Sequence, residues 1–222
     1  LKVDILKDKL VLGMPHLLSN FKLNLNHISK IFGDNHWHYM LDKPSNEYVG
    51  NHRIYQSFLR IDFSINDTFK EDDTFEVSVT GKYIDDYIFK TDHVFGNNVI
   101  SMYTIGIYVE NGKIQKAASH GKKCESFWNS HKENKNKILG TTDKLKFPTY
   151  FNIDFNCAQI LYCANYLKFI YQYCDVMNID PNIKRIDFFG NIEPRSMLEV
   201  AKDGNDLIIL ENNKQIARVV YS

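Results

Sequence analysis

Side chains able to move protons are unevenly placed in this 222-residue chain, because all eight histidines lie before residue 132. His16, directly after Gly13-Met14-Pro15, is the leading candidate for general acid–base work, since an imidazole with a pKa near ~6.5 can serve as either partner at neutral pH. A structural or exposed histidine is the competing reading. His36-Trp37-His38 resembles a metal pair only on paper. Residues two apart diverge by roughly 200° on a helix, and no Cys or carboxylate set completes a ligand cluster. No G-x-S-x-G elbow, phosphate-binding P-loop or dinucleotide-binding glycine pattern is present. The cysteines at 124, 157, 163 and 174 include no C-x-x-C pair, which favours buried free thiols in a reducing compartment.

Composition narrows the class of protein. Hydrophobic residues make up 44% of the chain, with 15 Phe and 13 Tyr, enough for a real core. The length allows one large domain or two small similar ones. Lys plus Arg (27) equal Asp plus Glu (27), which argues against a nucleic acid partner. That balance hides two opposed patches. Residues 113–146 hold nine Lys against Glu125, Glu133 and Asp143, or plus six, while residues 62–92 hold nine acids against Lys70, Lys82 and Lys90, or minus six. The charged N-terminus lacks the apolar stretch of a signal peptide, although Leu1 is not a Met and a leader could precede it. No apolar run reaches the ~18 residues of a membrane helix. A cytoplasmic protein without a membrane partner is expected.

The candidate residues need elements to hold them. A short strand near Lys9–Leu12 stops at Pro15. Leu25, Ile28, Ile31 and Phe32 then fall at helical spacing, which Trp37, Met40 and Leu41 continue, so a helix interrupted or bent near Gly33 is expected. Strands follow over 54–66, 74–80, 83–94 and 99–110. The basic segment, rich in Asn and Ser, reads as a connection or mobile insertion over 113–147. The pattern then restarts: a strand over 150–155, a helix over 159–178, and strands near 183–189, 196–201, 206–211 and 215–221. Arg60-Ile61-Asp62-Phe63 recurs as Arg185-Ile186-Asp187-Phe188 at the equivalent place, which indicates duplication. The second helix shows one narrow polar stripe, Asn165, Lys168, Gln172 and Asp175, so it must be enclosed on most sides. The expectation is an α+β chain of two repeats, 1–112 and 148–222, each a curved antiparallel sheet around a central helix.

Asp154-Phe155-Asn156-Cys157-Ala158-Gln159-Ile160 and Ala164-Asn165-Tyr166-Leu167 resemble the helix entry of hot-dog acyl-CoA thioesterases of the 4-hydroxybenzoyl-CoA type. Asn156, however, stands where that family has its catalytic acid, and Gln159 and Ile160 stand where it has Gly and His. The chain is more similar to the double hot-dog acyltransferase/decarboxylases of natural-product biosynthesis, as in leinamycin biosynthesis, which carry Asn at the Asn156 position. Gly190-Asn191-Ile192-Glu193-Pro194-Arg195-Ser196-Met197-Leu198, Leu12–Leu17, Gly33–Trp37 and Tyr55–Phe58 also fit their segments.

The resemblance implies a double hot-dog fold and a polyketide-type acyl-thioester reaction. Tyr55 would accept a (methyl)malonyl-derived acyl group from coenzyme A. Its phenol needs a donor or cation such as His52 or Arg53 to favour phenolate, and a packed strand tyrosine is the alternative. Asn156 cannot ionise, so it would donate to an oxyanion or enolate, with helix-start amides around Ala158–Ile160. It could equally be the helix N-cap. Gln159, Ile160 and Asn191 would line the substrate site, although Asn191 also suits a plain turn role. Lys122 and Lys123 would meet the phosphates of coenzyme A or an acidic acyl carrier protein. No metal or redox cofactor is required, and the pseudo-dimer of repeats could dimerise again. Thioesterase or dehydratase chemistry through His16, or a non-catalytic carrier-binding module, are the alternatives.

Overall fold

A computed structural model of the chain describes all residues except 1–4, 19, 21, 42–47, 50, 51, 112, 117–122, 138 and 155–160. The elements are β1 (Ile5–Val11), a 3-10 turn at Met14–His16, α1 (Leu25–Leu41), β2 (Tyr48–Val49), β3 (His52–Arg53), β4 (Tyr55–Ser64), β5 (Thr74–Tyr83), β6 (Ile88–Phe95) and β7 (Asn98–Glu110). They continue with β8 (Lys113–Lys116), α2 (Glu125–Asn136), β9 (Thr141–Pro148), α3 (Phe151–Asp154), α4 (Cys163–Val176), β10 (Ile183–Phe188), β11 (Met197–Asp203), β12 (Asp206–Glu211) and β13 (Lys214–Tyr221). Two compact units result: Leu1–Asn24 with Lys30–Trp128, and Leu25–Ser29 with Asn129–Ser222. No helix among the described residues is long and apolar enough to cross a membrane.

Each unit repeats one plan. In the first, antiparallel strands run in the order β1-β5-β6-β7-β4, and β8 pairs with β7 as a hairpin extension. In the second the order is β9-β11-β12-β13-β10. The strand before the long helix takes one flank, the strand after it takes the other, and three hairpin-linked strands fill the space between. The two Arg-Ile-Asp-Phe copies fall on the equivalent strands β4 and β10. In both, alternation sends Ile61 and Phe63, or Ile186 and Phe188, into the core. Helix α1 buries Leu25, Ile28, Ser29, Phe32 and His36 at helical spacing, with Phe32 edge-on to Phe95 of β6. Helix α4 buries Tyr166, Leu167, Phe169, Ile170 and Tyr173, with Phe169 against Phe147 of β9 and Tyr166 against Phe188 of β10.

Several expectations change. Helix α1 is continuous through the buried Gly33, a site where one glycine costs about 1 kcal/mol and packing overrides it. The expected strand 83–94 is broken at residues 84–87, because the Asp85 carboxylate accepts the N–H groups of Tyr87 (2.8 Å) and Ile88 (2.6 Å) and turns the chain. The strand expected over 150–155 lies earlier: β9 alternates Leu145 and Phe147 inward with Lys144 and Lys146 outward, and the one-turn α3 follows. The second helix begins at Cys163, not at Gln159.

The segment 113–147, expected to be a connection or mobile insertion, carries β8, α2 and most of β9. Burial explains its order. Within the second unit the fully buried Arg218 pairs with Asp203 (2.6 Å) and Asp206 (2.7 Å) and donates to the carbonyls of Asn134 (3.1 Å) and Lys137. Asp203 also takes the N–H groups of Leu139 (2.8 Å) and Gly140 (2.9 Å). Desolvation opposes its ionisation, but Arg218 and these amides hold its carboxyl below the usual range. The intervening Gly204 has φ +66°, and a Cβ there would meet Leu139 Cδ1 at 2.9 Å.

Candidate functional site

The entry to α4 gathers the polar groups of the second unit. Asp154 closes α3 and is fully buried, so its carboxylate must find partners. Its Oδ2 accepts the Tyr150 N–H (2.8 Å) and its Oδ1 pairs with Lys168 Nζ (2.8 Å). Its carbonyl accepts Asn165 Nδ2 (2.8 Å) and the Tyr162 N–H (3.1 Å). Asn191 Oδ1 takes the Leu161 N–H (2.8 Å), and the Tyr166 hydroxyl donates to the Gly190 carbonyl (3.2 Å). Burial raises the Tyr166 phenol above its ordinary range, so it stays protonated and acts as a donor. Asp154 and residues 161–162 therefore approach one another, held by three side chains from α4 and one from the turn at 190–191. The polar stripe of α4 divides here: Asn165 and Lys168 serve this cluster, while Gln172 and Asp175 face solvent.

The first unit has a different polar centre. His36 Nδ1 bonds Thr91 Oγ1 (2.8 Å), Thr91 Oγ1 bonds His93 Nε2 (3.1 Å), and His36 Nε2 bonds Thr104 Oγ1 (3.1 Å). Thr104 donates to the Phe89 carbonyl at 3.5 Å. One proton order satisfies this whole chain: His93 Nε2–H to Thr91, Thr91 O–H to His36 Nδ1, and His36 Nε2–H to Thr104. His93 Nδ1 is then left as a lone pair with no hydrogen-bond partner among the described residues. Burial pushes both imidazoles down to about 3 from 6.5, and the neighbouring His36 adds to the effect at His93. Phe32 stacks on His93 (4.8 Å), and Phe58 and Phe89 flank His36.

The sequence-expected residues fall as follows. Tyr55 opens β4, half-buried and paired with Ile107. Phe58 and its partner Thr104 face α1, so alternation puts Gln56 with them and Tyr55 on the opposite face of the sheet. His16 accepts the Gly13 N–H on Nδ1 (2.8 Å), which requires a lone pair there and puts the ring proton on Nε2. In that tautomer it offers a donor, not a base. His16 follows β1 and Tyr55 opens β4, the two flanks of the first unit's sheet. Four strand spacings, roughly 19 Å along the sheet, separate these flanks. Asn191 sits where α4 begins. Lys123 is exposed, its ammonium 5.6 Å from the Tyr87 ring centroid. Asn156, Gln159, Ile160 and Lys122, the amides of Ala158–Ile160 and the side chains of His38, His52 and Arg53 lie outside the described residues. Among the described residues no group of three His, Cys, Asp or Glu could hold a metal ion.

Sequence reasoning missed Lys168 as the partner of Asp154, and the histidine–threonine chain altogether. A lysine within the narrow polar stripe of a mostly apolar helix was the available signal for the first.

No protein-family profile matches the sequence, and no curated protein matches it. Solved structures do. An acyl-ACP thioesterase from Bacteroides thetaiotaomicron VPI-5482 superposes with TM-score 0.69 at 10% identity, over 98% of each chain. The 12:0-ACP thioesterase from Umbellularia californica gives 0.70 at 8% identity, over 98% of this chain and 94% of that one. The fold is a double hot-dog. A Lactobacillus plantarum structure named as an oleoyl thioesterase adds 0.71 at 8% identity, over 99% and 96% of the two chains. At such identities the hot-dog likeness extends to the fold alone.

Proposed function

We propose that this double hot-dog protein is an enzyme acting on acyl thioesters, with an acyl carrier protein as a substrate carrier. The observation that carries the reading is the tandem topology, which matches acyl-ACP thioesterases over nearly the whole of both chains. The cluster of Asp154, Lys168, Asn165 and Asn191 at the start of α4 supports it as a rigid frame beside which a thioester could be held.

The finer proposal is group transfer. The Tyr55 oxygen attacks the carbonyl of a malonyl- or methylmalonyl-CoA, the C–S bond breaks, and coenzyme A leaves as the thiol with the phenolic proton. Loss of carbon dioxide leaves an enolate that takes up a proton. The carrier's phosphopantetheine thiol then displaces the acyl group from Tyr55. Asn156 is assigned, from the resemblance alone, as the donor to the enolate. The only cofactor-like group in this scheme is the coenzyme A or phosphopantetheine of the substrate itself. Hydrolysis is the second reading, favoured by the names of the similar structures, with the His16 Nε2–H as a donor to the thioester oxygen.

Intact-mass spectrometry after incubation with malonyl-, methylmalonyl- and acyl-CoAs separates the two readings. Transfer predicts an acyl adduct on the parent chain that is absent from Tyr55→Phe, with a mass that reports whether carbon dioxide has left. Free acid without an adduct assigns hydrolysis and removes Tyr55 from the mechanism.

A further inference from the structure

A cluster of large apolar side chains lies exposed on the second unit, beside the cluster that frames α4. Tyr150 is 55% exposed, Phe151 37%, Ile153 70% and Met197 50%. Three sit within four residues, on or next to α3, whose last residue is the buried Asp154. Met197 joins them through the β9–β11 ladder, where it faces Pro148, and through the Thr149 N–H and hydroxyl, which both donate to the Ser196 carbonyl (3.1 and 2.9 Å).

The margin of this patch is cationic. The Arg195 guanidinium lies 5.9 Å from the Phe151 ring centroid. Lys146 and Lys144 leave the outer face of β9 within four residues of Pro148, 65% and 41% exposed, and share one carboxylate, Glu199, at 3.4 and 3.9 Å. Against these three cations stand Glu199 and the exposed Glu193, two residues before Arg195, so the rim carries a net charge of plus one. An apolar centre with a cationic rim fits a protein presenting small apolar side chains within an acidic surface, and salt-sensitive attraction would speed its docking.

Resting on the acyl-thioester reading above, we propose that Tyr150, Phe151, Ile153 and Met197, rimmed by Arg195, Lys144 and Lys146, form the docking surface for an acidic acyl carrier protein. The pins on Asp154 would hold α3 rigid beneath that partner, so that little ordering cost accompanies binding.

The test uses the full chain, a fluorescently labelled carrier protein loaded with a dodecanoyl chain, and dodecanoyl-CoA as a carrier-free donor. Ile153→Asp combined with Met197→Asp should weaken carrier binding at least tenfold, and Lys146→Glu combined with Arg195→Glu should weaken it and flatten its salt dependence. Turnover of dodecanoyl-CoA should stay within twofold in both variants, and their unfolding midpoints should match the parent. Unchanged carrier affinity in the variants would overturn the surface, as would a parent chain that consumes dodecanoyl-CoA but binds no carrier. A parent chain that neither binds nor consumes either donor would overturn the functional reading, and this inference with it.

Discussion

Helices α1 and α4 occupy equivalent places in two units of identical strand order, yet they are anchored by opposite chemistry. Midway along α1, His36 reaches into its sheet and is held by Thr91 and Thr104, with His93 one bond further on. The corresponding stretch of α4 is aromatic and aliphatic, and its polar anchors stand at the helix start, where Asn165 and Lys168 meet Asp154. The two units therefore share one strand order while differing in where their polar groups sit. The first unit seals an uncharged hydrogen-bond chain beneath its helix. The second places a charged frame at the margin of its helix, beside the exposed patch on α3.

The largest break in this comparison is expected from acid. Both imidazoles have folded-state values of about 3 against 6.5 when unfolded, so the unfolded chain binds more protons in between. Stability is full above pH 6.5 and falls as pH drops, by up to ~1.4 kcal/mol per pH unit for each group. Between pH 6.5 and 5, above the range where lowered carboxylates titrate, urea unfolding should record a loss of about 3 kcal/mol. A His36→Gln, His93→Gln chain should show a flat profile over that window, and an unchanged slope would refute the assignment. Next in size is Lys168→Met, which leaves the buried Asp154 carboxylate without its cation. A loss of about 2–3 kcal/mol is expected after allowing for the partial exposure of Lys168, and adding Asp154→Asn should recover part of it. Asn191→Ala should cost about 1–2 kcal/mol by stranding the Leu161 N–H, with hydrogen exchange accelerated near residue 161. Smallest is Tyr55→Phe, whose half-buried ring stays in place: the unfolding free energy should change by less than about 0.5 kcal/mol even where acyl transfer is lost.

Much of the fold was legible because its strands are long, β-branched and bounded by turn residues, and because Arg-Ile-Asp-Phe marks the same strand twice. Helix α2 was hidden because only Phe127, Trp128 and His131 pack among Asn, Ser, Glu and Lys, too few to form an apolar stripe. Strand β9 was hidden because three of its eight residues are charged, and its inward alternation is carried by Leu145 and Phe147 alone. The site was less legible than the fold. Thr91 and Thr104 lie 55 and 68 residues from His36, and nothing local in the sequence marks them as its partners. Lys168 was legible only as a member of the polar stripe of its helix, and its pairing with Asp154 depends on how the chain returns between them. Tyr55 shows the converse: its place on β4 followed from the sequence, while the face it occupies depended on the register with β7.

The central claim is that this chain works on acyl thioesters held by a carrier. Carrier protein loaded with a panel of acyl chains, incubated with the full-length chain and followed by intact mass, tests it most directly. The account predicts time-dependent loss of the acyl mass from the carrier, as free acid or as an adduct on this protein, with a preference among chain lengths. A carrier panel that keeps every acyl group, with no adduct formed, would contradict it.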